Sequence, residues 1–213
     1  DHKPEYIMQM ATEAGVMGVE RFIIDDGWFV GRDGERTALG DWYLDEVKYP
    51  NGLEPVIEHV NQQGMEFGLW VEPEMVSQDS NLYRNHPDWV LGLQGYHQPS
   101  GRWQYVLDLQ NEACFNYLYE RLNALLTRYN ITYLKWDMNR ELVQPGHQGK
   151  AAVHGQTKAL YRLVDELNRA HPEVEIESCS SGGGRIDFEI LKRTHRFWAS
   201  DCNDALERQT IQK

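Results

Sequence analysis

The stretch that decides the fold is Ile131-Thr132-Tyr133-Leu134-Lys135-Trp136-Asp137-Met138-Asn139-Arg140. Its first four residues are β-branched, aromatic or aliphatic, a composition that predicts a buried strand over residues 131–134. Side chains alternate along an extended chain, so Lys135 and Asp137 share one face while Trp136 points to the other. The sequence therefore predicts a lysine beside a carboxylate at the end of a strand, with Trp136 in the core.

This lysine and carboxylate allow two interpretations. An ion pair at the end of a strand is the ordinary one. A carboxylate that a neighbouring lysine keeps ionised is also able to act as a nucleophile or as an electrostatic anchor. The choice between the two depends on the rest of the chain.

Strands and helices alternate along the whole chain. Strands are predicted over residues 19–24, 65–74, 131–134, 174–179 and 197–200, with a short additional strand over 105–109. Helices are predicted over residues 4–17, 55–63, 111–129, 153–170, 186–194 and from 205 onward. Because no hairpin turn signals separate successive strands, we expect parallel pairing with helical crossovers.

Each of the five main strands runs into polar or small side chains. In an α/β barrel the carboxyl ends of all strands gather at one face, so these side chains would meet in one site. A doubly wound open sheet is the competing architecture and brings fewer strand ends together. The side chains concerned are Asp25, Asp26, Glu72, Glu74, Lys135, Asp137, Cys179, Asp201 and Asp204.

A site rich in carboxylates suggests two chemistries. The acids either hold a hard metal such as Mg²⁺ or serve as nucleophile and general acid on a glycosidic bond. Lys135 beside Asp137 and the tryptophans near the strand ends favour a sugar. The chain has 7 tryptophans and 11 tyrosines, many in stretches that read as loops, and aromatic loops suit flat-faced ligands.

Composition excludes several classes of partner. The net charge of −12 repels nucleic acid, and no apolar run or signal-peptide core points to a membrane. Three cysteines with no C-x-x-C spacing argue against a disulfide framework and a zinc ribbon, which favours a reducing, cytoplasmic location. The run Ser180-Ser181-Gly182-Gly183-Gly184 permits close backbone approach to a ligand but lacks the lysine of a nucleotide-binding P-loop.

Five segments together resemble glycoside hydrolase family 36, the bacterial-type α-galactosidases or melibiases. They occur in the family's order and span nearly the whole chain. The segments are 22–28 (FIIDDGW), 68–74 (GLWVEPE), 134–140 (LKWDMNR), 177–185 (ESCSSGGGR) and 200–204 (SDxxD).

The resemblance implies a (β/α)8 TIM barrel and a retaining double displacement that releases terminal α-D-galactosyl residues from raffinose-type oligosaccharides or melibiose. It implies no cofactor or metal, and a homo-oligomeric full-length enzyme. Asp137 would be the nucleophile and Asp201 the acid/base. The residues expected to bind galactose are Asp25, Asp26, Trp70, Arg102, Lys135, Asn139, Cys179 and Gly182, with the following glycines allowing close approach.

Other interpretations stay open for the site and for the activity. Cys179 by itself is more often a small buried apolar residue, and an Asp-Asp pair before a glycine is also a turn device. Asp204 lies one helical turn after Asp201 and is predicted to cap the next helix. A galactosyltransferase of the raffinose or stachyose synthase type would use the same covalent intermediate, and a non-catalytic galactoside-binding barrel would keep the aromatic residues.

The number of strands limits what this chain forms by itself. A complete barrel usually takes about 250 residues, and the resemblance places the five strands as the second to sixth of eight. We therefore expect residues 1–213 to be a partial catalytic barrel of a larger enzyme with β-rich domains on both sides. An isolated chain with two open sheet edges is expected to be inactive and to melt weakly.

Overall fold

A computed structural model describes residues 2–213 of the chain. Within that range the chain forms helices and strands in the order α1 (Pro4–Val16), β1 (Arg21–Ile24), α2 (Glu54–Gln62), β2 (Glu66–Val71), β3 (Met75–Ser77), α3 (Asn81–Asn85), a 3₁₀ turn (Pro87–Trp89), β4 (Gln104–Val106), α4 (Glu112–Arg128), β5 (Tyr133–Trp136), β6 (Gly146–His147), β7 (Lys150–Ala151), α5 (Val153–Ala170), β8 (Glu175–Ser178), α6 (Phe188–Leu191), β9 (Arg196–Phe197) and α7 (Ala205–Ile211).

One parallel sheet carries the fold. Its five strands lie in the order β1, β2, β5, β8 and β9, so their order in space is their order along the chain. A doubly wound sheet reverses its order at a switch point, and this sheet does not. The chain is an α/β protein with a parallel sheet, as predicted, and the carboxyl ends of its strands lie along one edge.

Two short antiparallel ribbons correct the expectation of parallel pairing throughout. Strand β3 pairs with β4, and β6 pairs with β7, each ribbon in the loop that follows a strand of the main sheet. The additional strand predicted over 105–109 is β4, where Val106 pairs with Met75. Sequence reasoning missed the other three ribbon strands and both antiparallel pairings, because strands of two or three residues carry no periodicity of their own.

The ladder with neighbouring strands sets the strand bounds. Strand β5 starts at Tyr133 and continues through Lys135 and Trp136, two residues beyond the predicted end. It does so because Trp136 pairs with Val71 on one side and with Ser178 on the other. The last strand, predicted over 197–200, is instead β9 at Arg196–Phe197, which begins one residue earlier, ends after two residues and pairs with β8 alone.

The helices follow the apolar periodicity of the sequence. Helix α5 has the predicted bounds, and the side chain of Asn111 caps α4 by accepting hydrogen bonds from the N–H groups of Ala113 and Cys114. Both helices bury a leucine-rich face in the hydrophobic core of the sheet. Among residues 2–213 no helix is both long and apolar enough to cross a membrane.

Candidate functional site

Asp137 directly follows β5 and is held in a fixed orientation. Its own backbone N–H donates to the carbonyl of Val71 at 2.8 Å, which continues the ladder, and the residue is only 7% exposed. Its Oδ2 accepts from Trp70 Nε1 at 3.2 Å and from Asn139 Nδ2 at 2.6 Å, while Oδ1 accepts from the N–H of Met138 at 2.9 Å. Three N–H donors therefore orient the carboxylate.

Lys135 makes its direct ion pair with Asp25, not with Asp137. Its Nζ lies 3.0 Å from Asp25 Oδ2 and 5.4 Å from the centre of the Trp198 ring. Burial, the largest single effect, lowers the pKa of Lys135, but the charge and the hydrogen bond of Asp25 lead several contributions that together place this pKa above its usual value. Asp137 contributes more weakly to the same rise. The lysine thus stays charged between two carboxylates from different strand ends.

Cys179 lies against the carboxylate of Asp137. The residue is 2% exposed, and its thiol is close enough to Asp137 for that carboxylate to act on its pKa. Burial, followed by the Asp137 charge, raises the pKa of the thiol to about 12. The thiol is therefore protonated, and Cys179 is a buried residue beside the nucleophile candidate.

Asp201 and Asp204 have different environments. The exposed Asp201 accepts a hydrogen bond from Trp198 Nε1 at 2.7 Å, and among residues 2–213 no hydrogen bond joins it to Asp137. Asp204 caps α7, because its Oδ1 accepts from the N–H groups of Leu206 and Glu207 at 3.0 Å each. The predicted helix cap at Asp204 is confirmed.

The two adjacent acids after β1 diverge. Asp25 is exposed and faces Lys135, whereas Asp26 forms a two-pronged ion pair with Arg32. Arg32 donates from Nε to Oδ1 at 2.9 Å and from Nη2 to Oδ2 at 2.6 Å, and its side chain is 3% exposed. Asp25 is thus positioned at the Lys135 cluster, while Asp26 has both oxygens engaged by a buried guanidinium.

Gly182 lets two loops approach each other. Its φ is +88°, and a Cβ built there would lie 3.0 Å from the Cα of Ser200. Gly182 also accepts, through its carbonyl, a hydrogen bond from the N–H of Ser180 at 2.8 Å. The glycine run therefore places the loop after β8 against the backbone that leads to Asp201.

Trp70 and Arg102 flank the carboxylates after β2. Trp70 is 3% exposed and reaches Asp137 with its indole N–H, so most of its ring lies in the core. Arg102 has a left-handed backbone (φ +50°) and lowers the pKa of Glu72 by its charge. Glu74 is displaced from this group, because it pairs with Arg185 at 2.6 Å and accepts from Trp136 Nε1.

Most tryptophans belong to the core, which corrects the expectation of aromatic loops open to a ligand. Trp28, Trp42 and Trp89 are at most 8% exposed, although they lie outside the main strands. Trp103 is 48% exposed, and Trp198 is half-buried beside Lys135. Among residues 2–213 no group of three or more His, Cys, Asp and Glu side chains is arranged to hold a metal ion.

The family model for melibiase matches residues 1–213. The chain belongs to the melibiase family. An α-galactosidase from Escherichia coli is 65% identical over 213 residues, and α-galactosidase AgaA from Geobacillus stearothermophilus is 42% identical over 218 residues. Each comparison covers all of this chain and 30% of the relative, so the chain spans about a third of the length of these proteins.

Solved structures of the melibiase family agree with the fold. The GH36 α-galactosidase AgaA of G. stearothermophilus superposes with a TM-score of 0.94 at 42% identity, over 99% of this chain and 30% of AgaA. An AgaA variant in complex with raffinose superposes with a TM-score of 0.95 at 41% identity, over 100% and 30% of the two chains.

The melibiase motifs did not reveal every residue that builds the site. Glu72 contacts Asn139, Trp198 contacts Asp201 and Lys135, and Gln104 contacts Glu72, yet the sequence marks only Glu72, as a polar strand end. Trp198 lies in the last predicted strand, three positions before the candidate acid/base Asp201. This position in the sequence is a signal that could have identified it as a site residue. Gln104 lies in a ribbon that the sequence did not predict, so nothing pointed to it.

Proposed function

We propose that this chain is the catalytic portion of an α-galactosidase that hydrolyses terminal α-D-galactosyl residues of raffinose-type oligosaccharides or melibiose. The melibiase match over the full chain and the names of the relatives support the proposal. Solved structures of AgaA variants in complex with raffinose and with stachyose support this substrate class.

The observation that carries the proposal is the environment of Asp137. A nucleophilic carboxylate has to be fixed in orientation, shielded from bulk water and kept ionised by nearby positive charge. Asp137 is nearly buried, three N–H groups orient it, and the ammonium of Lys135 lies in the same cluster while bonded to Asp25.

The reaction we propose is a retaining double displacement. The Asp137 carboxylate attacks the anomeric carbon, and the bond to the leaving oxygen breaks as Asp201 gives that oxygen a proton. Asp201 then removes a proton from water, which attacks the galactosyl ester and restores Asp137. Trp198 links the two halves of the site, since it contacts Lys135 with its ring and Asp201 with its N–H.

The remaining site residues would form the galactose subsite. Polar groups beside the nucleophile suit the hydroxyls of the sugar, and the close backbone at Gly182 suits its edge. Asp26 would act through its ion pair with Arg32. The proposed members are Asp25, Asp26, Trp70, Arg102, Lys135, Asn139, Cys179 and Gly182.

We further propose that the parallel sheet is part of a (β/α)8 barrel, as its second to sixth strands. The unreversed strand order supports this, because each new strand of a barrel is added beside the preceding one. The three free cysteines support a reducing, cytoplasmic location. The homo-oligomeric state implied by the family stays a prediction.

Proton NMR of the first-formed galactose tests the reaction. With raffinose as substrate and the full-length protein as enzyme, we expect the α-anomer to appear first and then to mutarotate. The β-anomer appearing first would contradict a nucleophilic Asp137. Adding excess raffinose as acceptor separates hydrolysis from transfer, because free galactose dominates for a hydrolase and a longer oligosaccharide dominates for a transferase.

A further inference from the structure

Glu72 is a buried carboxyl that the proposed reaction does not use. It follows β2 directly, is 1% exposed, and lies next to the strand end that carries Asp137. Its Oε1 accepts from the backbone N–H of Asn139 at 2.5 Å, and its Oε2 lies 3.3 Å from Gln104 Nε2. Both contacts are to neutral groups.

No cation neutralises Glu72 directly. Among residues 2–213 it forms no ion pair, whereas Glu74, two positions later and equally buried, lies 2.6 Å from Arg185. The charged groups that act on Glu72 are Asp137, which repels its negative form, and Arg102, which favours that form more weakly. Burial and then the Asp137 charge raise the pKa of Glu72 to about 8. An ionised Glu72 would place a second negative charge beside Asp137 with no cation paired to Glu72.

Gln104 provides the second observation. Its Oε1 is buried and has no hydrogen-bond partner, while its Nε2 donates to Glu72 Oε2 over the long distance of 3.3 Å. A buried carbonyl oxygen without a donor is costly. If the amide is turned by 180°, Oε1 lies where Nε2 stood and meets Glu72 Oε2. A proton on Glu72 Oε2 would then supply the missing donor.

We propose that Glu72 is kept as a neutral carboxylic acid and is the positioning residue for Asp137. It donates its proton to Gln104 and accepts the N–H of Asn139, whose side-chain Nδ2 in turn donates to Asp137 Oδ2. Asp137 is then the single negative charge of the pair. The positioning role rests on the proposed function, but the protonated state does not.

The direct test is infrared difference spectroscopy of the full-length protein, comparing wild type with Glu72→Gln. We expect wild type to show the C=O stretching band of a buried carboxylic acid that Glu72→Gln lacks, with a midpoint of loss near pH 8. Glu74→Gln is the matched control. It should keep the band, because in wild type the Glu74 carboxylate is paired with Arg185 and is not the source of the band. A band that is equal in wild type and Glu72→Gln at pH 6 would overturn the proposal.

Steady-state kinetics on a nitrophenyl α-galactoside tests the positioning role. Glutamine keeps an acceptor for the N–H of Asn139 and a donor for Gln104, so Glu72→Gln should retain kcat within about threefold. Glu72→Ala removes both contacts, and misplacement of a reacting group by about 1 Å costs on the order of 100-fold in rate, so kcat should fall by that order with little change in KM. Equal losses in the two variants would contradict the positioning role. Absence of activity in wild type would contradict the proposed function and leave the infrared result valid.

Discussion

The Nζ of Lys135 lies 3.0 Å from Asp25 Oδ2, and this ion pair spans an intervening strand of the sheet. Asp25 follows β1, Lys135 lies in β5, and β2 separates them. The pair therefore ties together the carboxyl ends of two strands that make no ladder with each other. Beside this pair, the centre of the Trp198 ring lies 5.4 Å from the ammonium, and Trp198 Nε1 donates to Asp201.

We expect the effects of Lys135 and Asp25 on kcat/KM to be strongly coupled. Lys135→Met and Asp25→Asn should each lower kcat/KM, and the double variant should be no worse than the more damaged single variant, because each change already breaks the pair. The coupling should exceed about 1 kcal/mol in a double-mutant cycle. Arg21→Met is the control, since Arg21 pairs with Glu66 at the opposite end of the sheet and should leave kcat/KM unchanged. Fully additive effects would show that the two residues act independently.

Substitutions should distinguish the role of Asp201 from that of Asp204. Asp201→Ala should lose most activity on raffinose but keep more on a nitrophenyl galactoside, whose leaving group needs little protonation, and added azide should restore turnover. Asp204→Ala removes the cap of α7 and should cost about 1 kcal/mol of folding stability with a smaller effect on turnover. Azide rescue in Asp204→Ala instead would reverse the two roles.

The stability of the full-length protein should depend on pH through Glu72. Burial, with the Asp137 charge, raises the pKa of folded Glu72 to about 8, against 4.5 for the free side chain. Between these values the folded state holds one more proton than the unfolded state, so stability falls as pH rises, by at most about 1.4 kcal/mol per pH unit. The stabilisation that protonated Glu72 contributes to folding is complete below pH 4.5 and is lost as the pH rises to about 8.

Thermal melts of wild type and Glu72→Gln across this window measure that contribution. The melting temperature of Glu72→Gln minus that of wild type should rise between about pH 5 and pH 8, since glutamine has no proton to lose. Differences that stay constant over the window would show that Glu72 titrates normally.

The sequence predicts the elements well where the pattern is local. The apolar period of α5 gave its bounds, and the positions of Asn111 and Asp204 before helical stretches predicted two caps that are confirmed. Asp137 at the end of a strand is confirmed as well, although the strand extends to Trp136. These features depend on residues within one or two turns of each other.

The partners of the site residues were not predictable, because they depend on register between distant strands. Lys135 had Asp137 as its nearest acid in sequence, yet bonds Asp25 across the sheet. Glu72 contacts Asn139 only because Val71 pairs with Trp136, which brings the two strand ends level. One sequence contains no information on which of several acids a strand-end lysine meets.

Trapping the covalent intermediate is the most direct test of the central claim that Asp137 is the nucleophile. The full-length protein is treated with a 2-deoxy-2-fluoro-α-galactosyl fluoride, digested, and its labelled peptide located by mass spectrometry. The account predicts one fluorogalactosyl group, attached to Asp137 within the Lys135-Trp136-Asp137-Met138-Asn139-Arg140 segment. A label on Asp201, Glu72 or any other acid would contradict it.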